Sequence, residues 1–108
     1  MNDERPNPEK VAELLSKIYE YEFGGKEKGR YKISRSNLRR LACRKRLEDA
    51  TINKITDAVF ELGYIMIDLG DYFAVVKESV MLNYRPVPKS VLLRHLKEIP
   101  ASTSDDED

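Results

Sequence analysis

Ten cations crowd residues 26 to 46: Lys26, Lys28, Arg30, Lys32, Arg35, Arg39, Arg40, Arg44, Lys45 and Arg46. The only acid among them is Glu27, so the segment carries a net charge of +9 within a chain whose 19 basic and 19 acidic residues cancel. The chemistry such a run supports is electrostatic, the attraction of an anion or polyanion to a local patch hidden by a neutral average. A bland alternative is a solvated helix face.

Residues able to do covalent or metal chemistry are sparse. Cys43 is the single cysteine, which excludes an intrachain disulfide and paired-cysteine metal sites. No His or carboxylate stands at nucleophile or ligand spacing from it, so a structural thiol is expected. His95 is the single histidine and lies beside Leu92 and Leu96, where packing or surface exposure is the simpler role. No paired carboxylates, triad or phosphate loop stands out, so no enzyme activity, cofactor or metal is expected. The polar start of the chain and the lack of a long apolar run fit a soluble, cytoplasmic protein.

The elements that must position the basic run follow from periodicity. Residues 1 to 7 lack it and read as a flexible lead-in. Asn7 as N-cap and Pro8 in the first turn open a helix, expected over 8–23, with Val11, Leu14, Leu15 and Ile18 on one face and Gly24-Gly25 as the stop. Tyr31-Lys32-Ile33 reads as a short extended piece. A second helix, 35–46, capped by Ser34 or Ser36, places Leu38, Leu41 and Ala42 opposite Arg40 and Arg44.

Leu47-Glu48-Asp49 makes a turn, with Asp49 capping a third helix, 49–62, whose inward face is Ile52, Ile55, Val59 and Leu62. Gly63 is suited to the left-handed position after it. The period then changes to two: Ile65, Ile67 and Leu69 alternate with Tyr64, Met66 and Asp68, and Tyr72 to Val76 returns after Gly70-Asp71 as a β-hairpin. Pro86 and Pro88 punctuate a loop before a last helix, about 88–99, bearing Val91, Leu92, Leu96 and Ile99. The acidic tail 101–108 is too polar to pack and is expected to be disordered. One domain, 8–100, accounts for the length.

The order strand, basic helix, turn, helix, hairpin over roughly Tyr31 to Ser79 resembles the winged helix-turn-helix family, with the first helix completing a three-helix core. The resemblance implies an α+β, mainly α fold, with a β-hairpin wing and here an additional C-terminal helix. It also implies a small DNA-binding protein, a transcriptional regulator, docking helix 49–62 in the major groove of double-stranded DNA. Carried over by position, Thr51, Asn53, Lys54 and Asp57 would face bases, and Lys32, Arg35, Arg39, Arg40, Arg44, Lys45 and Arg46 would hold phosphates.

Two features depart from the family pattern. Asp57 and Glu61 lie on the line that should face the duplex, and the wing tip Asp68-Leu69-Gly70-Asp71 carries two acids and no base. These favour the alternative of a protein-interaction module whose basic helix meets an acidic partner. A homodimer through helices 8–23 and 88–99 is a further expectation, with packing of the last helix on the first as its competitor. Most of the six tyrosines read as core or cross-strand packing, Tyr64 and Tyr72 flanking the hairpin, while Tyr31 stands out amid Arg30, Lys32 and Arg35. The tail has a possible role too, competition with nucleic acid for the basic face.

Overall fold

A computed structural model describes residues 5–100; the expectations for the first four residues and for the tail 101–108 lie outside the described residues. Among these the chain is α+β, with five helices and one three-stranded antiparallel sheet: α1 (Pro8–Tyr19), β1 (Tyr31–Ser34), α2 (Arg35–Leu41), α3 (Asp49–Glu61), β2 (Tyr64–Asp68), β3 (Tyr72–Lys77), α4 (Glu78–Met81) and α5 (Lys89–Leu96). Strand order is β1-β3-β2, with Ile33 opposite Phe73 and Met66 opposite Val75. No helix among the described residues is long and apolar enough to cross a membrane.

One core joins the first three helices to one face of the sheet. Val11, Ala12 and Leu15 of α1 meet Leu38 and Ala42, then Ile52, Ile55, Ala58 and Val59 of α3, and Met66, Phe73 and Val75 of the sheet. The helical spacing of α1 and α3 explains this burial, because residues three and four apart fall on one side. On β2 the core takes Met66 and part of Tyr64, while Ile65 and Ile67 on the opposite face stay half-buried. The more aliphatic side of that strand is therefore not its core side.

Helix ends differ from expectation at α1, α2, α3 and α5, the last spanning Lys89–Leu96 rather than about 88–99. Helix α1 stops at Tyr19 with Glu20 as its C-cap, short of residue 23, because the Gly29 N–H takes the Tyr19 carbonyl. Gly24 and Gly25, both at positive φ, instead form a tight turn in which Phe23 and Lys26 exchange two backbone hydrogen bonds of 3.0 Å. Helix α2 ends at Leu41, since Ala42 is its C-cap and Cys43 adopts a left-handed φ of 56°. Leu62 is the C-cap of α3 and stays 48% exposed, so the inward set is Ile52, Ile55, Ala58 and Val59. Ser34 caps α2 through its hydroxyl as expected, but Glu48, not Asp49, occupies the α3 cap and makes no side-chain cap bond.

Helix α5 buries none of its residues. No residue beyond Val76 is buried among the described residues, and Val91, Leu92, Leu96 and Ile99 are all exposed. The last helix thus adds no residue to the buried core.

Candidate nucleic-acid interface

The left-handed turn at Cys43 decides where the cations sit. Arg40 remains on α2, but Arg44, Lys45 and Arg46 lie in the connection to α3 rather than on the helix of residues 35–46 that the sequence predicts. Arg40, Lys45 and Arg46 are exposed and Arg44 is half-buried. None of the four has a carboxylate of a described residue within ion-pair distance. Four uncompensated charges thus precede the N-terminus of α3.

Three other residues assigned to phosphates are engaged within the fold. Arg35 donates to the Gly70 carbonyl at 2.6 Å and to the Asp68 carboxylate at 2.8 Å, and its guanidinium lies 4.8 Å from the centre of the Phe73 ring. Its backbone N–H also reaches the Asp71 carbonyl at 2.8 Å. Arg35 is therefore a staple between α2 and the hairpin tip. Arg39 is half-buried and donates to the Lys45 carbonyl at 3.3 Å, bracing the turn. Lys32 holds its ammonium 4.5 Å from the centre of the Tyr72 ring, a cation–π contact that still leaves it at the surface.

The staple explains the acidic tip. The Asp68 carboxylate accepts from the Gly70 N–H at 2.9 Å as well as from Arg35. The Gly70 amide and then Arg35 hold that carboxyl below the usual range for aspartate. Gly70, at φ 91°, supplies the backbone conformation that lets the two strands turn there. Asp71 stays exposed.

On α3, Asn53, Lys54 and Asp57 are exposed, whereas Thr51 is half-buried. Two residues along a helix is a rotation of about 200°, so Thr51 and Asn53 lie on opposite flanks of the line through Lys54 and Asp57. Lys54 is the sole base of α3, beside Asp49, Asp57 and Glu61. Lys54, Asp57 and Glu61 also border a groove of about 820 Å³, closed on the far side by Pro8, Glu9 and Glu13 of α1 and floored by Ala58 and Leu62. That groove joins residues far apart in sequence, and no local pattern announced it.

Tyr19, Tyr31 and Tyr64 are engaged within the fold. Tyr31 donates to the Leu15 carbonyl at 2.7 Å, and burial raises its phenol well above the ordinary range. Tyr64 stacks edge-on against Tyr19 at 5.0 Å and donates to Glu20 at 2.9 Å; burial and this carboxylate push it up to about 12. Glu20, held low first by that phenol, also meets Lys28 and Lys77 at 3.5 Å each. Tyr64 lies opposite Lys77 and Tyr72 opposite Ser34, so the two tyrosines do not pair across the hairpin. Neither Tyr31 nor Tyr64 presents a free ring for base stacking.

Cys43 is exposed, and among the described residues no three His, Cys, Asp or Glu side chains gather as metal ligands would. The His95 ring bonds the Val91 carbonyl of its own helix at 2.9 Å. Comparison with protein-family models, with curated proteins and with solved structures finds no match to this chain.

Proposed function

We propose that this chain is a winged helix-turn-helix module that binds double-stranded DNA and regulates transcription in the cytoplasm. The observation that carries the reading is the group Arg40, Arg44, Lys45 and Arg46, four cations without acidic partners among the described residues, set just before a helix that displays Asn53 and Lys54. The element order and the β1-β3-β2 sheet are compatible with that layout. The four cations hold phosphates, aided by Lys32 at the sheet edge, and fix the register of α3 without reading sequence. Asn53 and Lys54 then meet base edges, and Asp57 accepts from a cytosine amine.

The test is duplex binding by fluorescence anisotropy across a salt series. Each phosphate contact contributes about 0.9 to the slope of log affinity against log salt. Arg40→Glu with Arg44→Glu is expected to weaken binding and flatten the slope by roughly 2. Wild-type protein that ignores duplex DNA at low salt overturns the reading.

A second reading, a protein-binding module, is favoured by a different observation. Glu9, Asp57 and Glu61 border the α1/α3 groove with no cation of a described residue in ion-pair range, which suits a basic partner. On that reading the basic turn contacts an acidic protein surface.

A further inference from the structure

We infer that α5 is an exchange arm: in a dimer it docks in the acidic groove between α1 and α3 of a second copy of this chain, and the second copy returns the contact.

The arm has the attributes of a detached packing element. Val91, Leu92 and Leu96 fall within one stripe at helical spacing and Ile99 follows just past the helix end, yet each is at least 44% exposed. With Leu82, Tyr84 and Val87 they concentrate exposed apolar side chains in the segment 82–99, a feature that marks an interaction site. An eight-residue helix whose N-cap, Pro88, offers no side-chain bond is marginal in isolation. It requires a partner.

The linker argues against that partner being the chain's own groove. Arg85-Pro86-Val87-Pro88 contains two residues whose φ is locked, and each proline also disfavours helical backbone at the residue before it. Pro88 sits in extended geometry, φ −68° and ψ 149°. Such a strut holds α5 off the body that carries it.

Charge selects the receiving surface. Between residues 82 and 99 the arm carries Arg85, Lys89, Arg94 and Lys97 against Glu98, a net of +3. The groove carries Glu9, Glu13, Asp57 and Glu61 against Lys54, a net of −3. Lys10 and Lys17 already compensate Glu13, at 3.3 and 3.7 Å, but the other three acids have no such partner among the described residues. With the arm's stripe set on Pro8, Ala58 and the exposed Leu62, its long basic side chains reach the acids along the rim. Reciprocal exchange gives a closed, two-fold contact in which each copy supplies one arm and one groove.

The groove shares Lys54 and Asp57 with the residues proposed above to face bases, so a docked arm excludes duplex from them; the oligomeric state is therefore read without nucleic acid. Full-length protein is examined by sedimentation equilibrium over a range of concentrations, with circular dichroism to establish folding. A monomer–dimer equilibrium that weakens with salt is expected. Leu92→Asp with Leu96→Asp should raise the dissociation constant roughly 100-fold or more while the monomer keeps its unfolding midpoint. Glu9→Lys with Glu61→Lys should also dissociate the dimer, and mixing that protein with Arg94→Glu/Lys97→Glu should restore a heterodimer. A wild-type chain that is monomeric throughout, a dimer that survives either charge reversal, or a mixture that stays monomeric overturns the proposal.

Discussion

Helices α1 and α5 are both short and amphipathic, with apolar residues recurring at helical spacing, and they end up in opposite situations. Helix α1 buries Val11, Ala12, Leu15 and Tyr19, is capped by Asn7 accepting from the Lys10 N–H at 2.8 Å, and receives the Tyr31 hydroxyl on its Leu15 carbonyl. Helix α5 has none of these supports. An apolar stripe states that a face needs covering. What covers it depends on the connections at either end, and the proline strut before α5 separates it from the body that α1 helps to build.

The largest effect that sharpens this contrast is core truncation. Leu15→Ala is expected to cost about 2–5 kcal/mol of unfolding free energy, by lost burial and the cavity left behind. Leu92→Ala in the monomer should fall within about 0.5 kcal/mol, as surface changes do. Urea denaturation at low protein concentration measures both, and comparable losses would erase the distinction. Removing the α1 cap with Asn7→Ala should cost about 1 kcal/mol, read from the same curves.

A smaller effect appears in alkali. Tyr31 and Tyr64 hold their protons in the folded chain above the ordinary phenol value of about 10. Their contribution to stability is whole below that value and declines as pH rises through 10 toward the folded values, because the unfolded chain then releases its protons more readily. Tyr31→Phe should lower stability near neutrality by about 1 kcal/mol through loss of the bond to α1 and make the alkaline decline shallower. Denaturation at pH 7 and pH 10.5 checks the sign; stability that rises over this interval would refute it.

Much of this fold can be read from local signals. Ser34 before the basic helix, Gly63 after α3 and Gly70 at the hairpin announced themselves, and both glycines take φ near 91°. The end of α2 was hidden, since Cys43 enters left-handed geometry without being glycine or asparagine. Leu62 looked inward by periodicity, but as the C-cap it is lifted out of the core. For the site, Arg40, Arg44, Lys45 and Arg46 were visible as charge. The role of Arg35 was not, because its partner Asp68 lies 33 residues away. Thr51 and Asn53 were grouped as outward residues flanking the line of Lys54 and Asp57; Asn53 is exposed and Thr51 half-buried.

The Arg35 contacts have a mechanical consequence. A guanidinium that clasps both Asp68 and Gly70, with its own amide on Asp71, makes the hairpin tip and the first turn of α2 a single lever. A hairpin hinged freely would surrender orientational entropy each time it settled against a partner. Here the contacts of Arg35 restrict that freedom before any encounter.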